Sequence, residues 1–192
     1  MIELSPQGSL PWQRGAKPGK RRRCPRRLLQ FAVAPAAMTA GLASTLLWPP
    51  RPILLWNASP SSPIGLYAIV SPDRLSAGDM AIAWAPMWAR RLAAARHYLP
   101  ANVPLVKRIA AIPDDRVCAT RRTILVNRRP AALRRLRDPS GRPMPWWSGC
   151  DLLRSGEFLL LSPGVPDAFD GRYFGVTGRT EIVGKARLLW PR

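Results

Sequence analysis

The chain has 192 residues, room for one domain and an appendage, and a formal net charge of +19 from 30 Lys/Arg against 11 Asp/Glu. Its 22 prolines and 14 glycines argue against a helical bundle and for loops and β structure. The basic residues form neither a known nucleic-acid-binding motif nor one helical stripe, so no nucleic-acid partner is expected. Attraction to anionic lipid explains the charge at least as well.

The charge is unevenly placed. Residues 1–27 carry eight Lys/Arg and one Glu, and end in Lys20-Arg21-Arg22-Arg23-Cys24-Pro25-Arg26-Arg27. Residues 28–50 carry no charge, and residues 51–192 carry 22 Lys/Arg against ten Asp/Glu. Leu28 to Trp48 is a 21-residue uncharged stretch, close to the roughly 20 residues a spanning helix needs. Gln30, Pro35 and Gly41 weaken it, but a bilayer helix tolerates all three. The basic flank keeps this end in the cytoplasm, and Trp48 suits the far interface. A signal peptide cut near Ala43 or Ser44 is the main competitor, but the stretch exceeds the roughly 7–15 residues of a signal core. The expected organisation is a cytoplasmic tail over 1–27, a transmembrane anchor over 28–48 and an exported domain over 53–192.

Pro49-Pro50-Arg51-Pro52 reads as a short stiff linker, and Ile53 to Trp56 as a strand or membrane-facing segment. Next comes Asn57-Ala58-Ser59-Pro60-Ser61-Ser62-Pro63-Ile64-Gly65-Leu66-Tyr67. Gly65 to Val70 reads as a strand, Gly78-Asp79 as a turn, and Met80 to Trp84 as a second strand. Met87 to Tyr98 has helical spacing, with Trp88, Leu92, Ala95 and Leu99 on one face. His97, the only histidine, reads as structural or exposed. Pro104-Leu105-Val106-Lys107-Arg108-Ile109-Ala110-Ala111-Ile112-Pro113-Asp114-Asp115 then places one lysine in an apolar strand. Arg116 to Ala119 and Thr123 to Val126 suggest a hairpin, and Ala131 to Trp147 a polar, Pro-rich excursion. Phe158 to Leu161 and Ile182 to Leu189 are the last strands. Many short strands with turn signals predict a mainly β domain.

A serine nucleophile needs a base, and His97 has no serine- or cysteine-bearing motif beside it. A lysine in an apolar strand is the alternative, because burial lowers its pKa toward neutrality. Ser61 and Lys107 are therefore the candidate pair. Of the three cysteines, Cys24 falls on the cytoplasmic side as a free or lipidated thiol. Cys118 and Cys150 fall on the oxidising side; a disulfide between them is preferred over two buried free thiols. Neither cysteine spacing nor a histidine partner suits zinc, and no metal or cofactor is expected.

The Asn57–Tyr67 and Leu105–Pro113 strings, with Tyr98-Leu99-Pro100, Gly78-Asp79 and Phe169-Asp170-Gly171-Arg172-Tyr173-Phe174-Gly175, resemble the boxes of the Ser/Lys signal peptidases, most closely the TraF-type conjugative transfer signal peptidases. The resemblance spans roughly residues 28–190. It implies a signal-peptidase-like β-rich catalytic domain with Ser61 as nucleophile and Lys107 as general base. It also implies an oxyanion hole from the Ser59 side chain and the Ser61 N–H, and an Asp170/Arg172 pair bracing the lysine strand. The general members carry a serine where this chain has Ala168, and that serine orients the lysine. A nearby hydroxyl such as Ser162, or a water, is the expected substitute. The general members also end the lysine box Pro-Gly-Asp where this chain has Pro113-Asp114-Asp115; Asp tolerates the left-handed turn.

The implied activity is a serine endopeptidase of the bacterial inner membrane, its catalytic domain periplasmic, that processes an exported precursor such as a conjugative pilin subunit. Some members of the branch close their substrate into a ring. Two alternatives are a general type I signal peptidase, whose Ser-Met-x-Pro-Thr box is absent here, and a non-catalytic membrane-tethered component of a conjugation or secretion assembly. Only 12 residues separate Trp48 from Ser61, so the tether holds the serine within roughly 40 Å of the bilayer at about 3.3 Å per extended residue.

Overall fold

The computed structural model describes residues 26–47 and 53–192. Residues 1–25 of the basic tail, including Cys24, the interfacial Trp48 and the link through Pro52 lie outside the described residues. The chain divides into two units, Met1–Pro50 and Arg51–Arg192. The first holds helix α1 (Arg26–Leu47), 22 residues with Pro35 inside. Thr39, Ser44 and Thr45 turn their hydroxyls back onto carbonyls three or four residues earlier. Val33, Met38, Leu42 and Leu47 stand exposed. Among the described residues no helix is long and apolar enough to cross a membrane, so the anchor over 28–48 stands as a sequence expectation.

The second unit is mainly β. Its strands are β1 (Leu54–Asn57), β2 (Gly65–Val70), β3 (Met80–Ala83), β4 (Leu105–Ala111), β5 (Arg116–Thr120), β6 (Thr123–Val126), β7 (Arg129–Leu133), β8 (Gly149–Leu152), β9 (Glu157–Leu161), β10 (Thr177–Gly178) and β11 (Ile182–Pro191). Two short helices, α2 (Met87–Ala95) and α3 (Gly171–Phe174), interrupt them. Seven strands form one antiparallel sheet in the order β1-β2-β11-β3-β4-β9-β10, and four form another in the order β7-β6-β5-β8.

Strands β4 and β9 are neighbours inside the larger sheet, and their sequences show it. Phe158 to Leu161 is an uninterrupted apolar run, and all four side chains are buried. Leu159 and Leu161 pack with Ala111, Val117, Ile124 and Leu153, joining the larger sheet to the smaller. Leu160 packs the other way, with Ala81, Ala83 and Ile109. A fully buried leucine contributes roughly 2 kcal/mol, so β9 anchors both clusters. The turn after β4 forms as the sequence predicts, with Asp114 at φ 70° and the Asp115 carboxylate accepting from the Ile112 N–H at 2.9 Å.

Two expectations change. The predicted face of α2 is not the buried one: Trp88 and Ala95 are exposed, while Ala89 and Ala93 are buried in line with Ala85. Ala89 packs with Ala85 and Phe174, and the large ring nearby, Trp84, instead takes the Arg90 guanidinium 4.4 Å from its centroid. The expected excursion over 131–147 is partly ordered as the end of β7 and a bridge between Arg137 and Pro143. It is held by Arg134, fully buried, which donates to the carbonyls of Trp147 and Arg121 and lies 3.7 Å from the Trp146 ring centroid. Cys118 and Cys150 face each other across β5 and β8 and are joined by a disulfide.

Candidate active site

The serine string forms a turn between β1 and β2, and Asn57 organises it. The buried Asn57 amide donates from Nδ2 to the carbonyls of Ser59, Ser62 and Pro63 at 3.0, 3.2 and 3.0 Å, while its Oδ1 accepts from the Ser59 N–H at 3.1 Å. The Tyr67 hydroxyl donates to the Pro63 carbonyl at 2.7 Å. Ser62 is buried and donates to the Val106 carbonyl at 2.6 Å. That last bond fastens the turn to β4, one residue before Lys107. Asn57, Ser62 and Tyr67 lie inside the motif, but their supporting roles were not legible in it, since each acts through carbonyls that every residue possesses.

Lys107 sits in mid-strand on β4, opposite Ala81 of β3, and is 2% exposed. Its Nζ lies 2.6 Å from Ser61 Oγ and 3.0 Å from Ser162 Oγ. Burial pushes the lysine pKa down from 10.5 to about 8; Asp170 opposes that shift and Arg172 adds to it. Desolvation disfavours the ammonium because a low-dielectric interior solvates charge poorly. Ser61 itself is half-buried, which leaves its hydroxyl open to a cleft.

Ser59 Oγ lies 2.8 Å from Ser61 Oγ and accepts from the Ser61 N–H at 3.4 Å. The two expected oxyanion donors are thus neighbours on one turn, engaged with each other. Ala168 is buried in the cleft wall and offers only a methyl group. Asp170 and Arg172 are buried and paired: Arg172 Nε donates to Asp170 Oδ1 at 2.8 Å and Nη2 to Oδ2 at 3.0 Å. The pair also holds residue 162, with the Ser162 N–H donating to Asp170 Oδ2 at 2.8 Å and Arg172 Nη2 donating to the Ser162 carbonyl at 2.9 Å.

The cleft beside Ser61 has a volume of about 380 Å³. Ser59, Leu105, Val106 and Lys107 form the wall nearest the serine, with Tyr98 and Phe169 also lining the cleft. A buried carboxylate, Asp138, accepts from the Tyr98 hydroxyl and from Arg142. His97 is exposed, just past the end of α2. Among the described residues no three His, Cys, Asp or Glu side chains gather as metal ligands.

Residues 26–191 match the family described as signal peptidase, peptidase S26. A probable conjugal transfer protein TraF from Sinorhizobium fredii is 34% identical over 140 residues, covering 68% of this chain and 73% of that protein. A plasmid transfer protein TraF from Escherichia coli is 37% identical over 91 residues, 45% of this chain and 51% of that one. A solved signal peptidase I from Enterococcus faecalis overlaps 62% of this chain and all of that one, at 16% identity and a TM-score of 0.35, a likeness too slight to argue from. The match over nearly the whole length and the identity to TraF proteins place the chain in the peptidase S26 signal peptidase family, as a TraF-type member.

Proposed function

We propose that the chain is a membrane-anchored serine endopeptidase that uses Ser61 and Lys107 as a catalytic dyad to process an exported precursor. The observation that carries this reading is the 2.6 Å approach of Lys107 Nζ to Ser61 Oγ inside a buried strand. With its pKa near 8, about one lysine in ten is neutral at pH 7. The neutral amine takes the Ser61 hydroxyl proton as Oγ attacks the scissile carbonyl. The Ser61 N–H and Ser59 hydroxyl turn from each other to the developing oxyanion, a stabilisation worth about 100- to 1000-fold per donor. The ammonium then returns the proton to the departing amine, leaving an acyl-enzyme. Water releases it as an acid; an amine of the substrate releases it as a new amide, which closes a ring.

The names of the relatives, which speak of conjugal and plasmid transfer, support a pilin subunit of a conjugation system as the precursor. The uncharged run from Leu28 to Trp48 behind a basic flank supports an inner-membrane anchor with the catalytic unit in the periplasm. The exposed apolar side chains of α1 agree with a lipid surround.

The test is co-expression with a conjugative pilin precursor, comparing wild type with Ser61→Ala and Lys107→Ala. Processing stops in both variants; processing by both refutes the dyad. A mature product one water lighter than the linear cut peptide identifies ring closure. Membrane fractionation reads the anchor: a chain recovered wholly in the soluble fraction refutes it.

A further inference from the structure

We propose that Ser162 is the residue that positions Lys107 in this chain, and that the buried Asp170–Arg172 pair makes hydrogen bonds to Ser162 and none to the lysine. The inference rests on the Ser61/Lys107 reading above.

Ser162 follows the last residue of β9. Leu161 pairs with Arg108 of β4, so continuing the antiparallel register sets residue 162 opposite Lys107. Both side chains are buried, and Ser162 is 3% exposed. Beyond Ser61 Oγ, the Ser162 hydroxyl is the other hydrogen-bond partner of Lys107 Nζ among the described residues, at 3.0 Å. A buried amine needs such a partner. Its geometry also has a consequence for the reaction. A neutral amine has two N–H groups and one lone pair, in tetrahedral arrangement. Committing one N–H to Ser162 fixes rotation about the terminal C–N bond and turns the lone pair toward the Ser61 hydroxyl.

The ion pair explains why Ser162 can do this. The ladder ends at Leu161, and Pro163 has no N–H to continue it. The N–H of residue 162 would be buried without a partner, and its C=O left with only the 3.3 Å bond from the Val165 N–H, which is costly. Asp170 takes the N–H and Arg172 the C=O. The charged pair thereby holds residue 162 from both sides of its Cα, and that residue carries the hydroxyl that meets the lysine. Asp170 makes no hydrogen bond to Lys107; its carboxylate oxygens are occupied by Arg172 and the Ser162 N–H. Ala168 contributes no hydroxyl, so the orienting group has moved from the residue two before the aspartate to the strand end.

The experiment compares wild type and Ser162→Ala for precursor cleavage across pH 6 to pH 10, with thermal unfolding of both. Loss of orientation lowers kcat on the order of 100-fold while KM and Tm stay close to wild type. The acid limb, in wild type near the lysine pKa of about 8, moves to lower pH, because Ser162 Oγ accepts from the ammonium and its removal disfavours the charged form. Wild-type kcat in Ser162→Ala overturns the proposal. A reduced kcat with the acid limb unmoved also overturns it, since that is a structural loss alone. Ser61→Ala and Lys107→Ala in the same assay keep the two readings apart: their inactivity with an unaffected Ser162→Ala sinks only the positioning role, whereas their activity sinks the dyad.

Discussion

Replacing Lys107 by methionine removes a charge that the fold holds at a cost, and that cost can be read as stability against pH. The folded pKa, about 8, lies below the reference value of 10.5, so the unfolded chain binds this proton more tightly. Between those values stability rises with pH; the contribution is complete above 10.5 and lost as pH falls through 8. At 1.36 kcal/mol per pH unit the burden at low pH is about 3 kcal/mol. Methionine of similar length carries no such burden, but it leaves the buried Ser162 hydroxyl without its partner, a penalty of about 1–3 kcal/mol that does not vary with pH. The single-pH difference therefore mixes two terms of similar size. The change in that difference between pH 7 and pH 10, about 2–3 kcal/mol, belongs to the lysine proton, since other titrating groups are common to both chains. Urea unfolding of the full chain and of Lys107→Met in mild detergent at both pH values measures it. Methionine gains relative to wild type as pH falls. A difference that stays constant from pH 7 to pH 10 would show that the lysine is not desolvated, and would remove the basis for its neutrality.

Ser59→Ala should lower kcat by about 100-fold or more with little change in KM, because its hydroxyl matters once charge develops; steady-state kinetics on a precursor peptide decide this, and an unchanged kcat would leave the Ser61 N–H as the sole donor. Gly171→Ser should destabilise the chain by roughly 1–3 kcal/mol. A Cβ at residue 171 would come within 2.8 Å of the Leu160 carbonyl and 2.9 Å of Leu159 Cδ1, so β9 must shift. Thermal unfolding checks it, and a wild-type Tm would mean that β9 yields more easily than its burial implies.

Most strands were legible because their signals are local. Gly65 to Val70 reads as a strand from its glycine start and β-branched content, and β2 has those bounds. The Asp114 turn was legible from residue chemistry. What was not legible depends on distant partners. β8 is short and exposed throughout, and is placed by pairing with β5 and by Cys150. The ordering of the 131–147 segment comes from one buried arginine and two tryptophans that no periodicity relates. On α2 the large side chains drew attention to the wrong face, because alanines mark a close helix contact more quietly than tryptophan marks an exposed one. At the site, Ser61 and Lys107 were legible as a motif. Ser162 was one candidate hydroxyl among others until the register of β4 and β9 set it across from the lysine.

The bond from Ser62 to the Val106 carbonyl has a further meaning for how such a peptidase is controlled. It joins the serine turn to the lysine strand, and Asn57 holds the turn's own shape from within. On the proposed reading, Ser61 Oγ and Lys107 Nζ stand 2.6 Å apart before a precursor arrives, and what is left to change is the lysine proton and the Ser59–Ser61 contact. The rest state of such a dyad is then set by protonation and not by distance. On that reading, further restraint falls to delivery: which chains reach the cleft, and when. Timing is then a property of the traffic, and the enzyme is the fixed point past which that traffic runs.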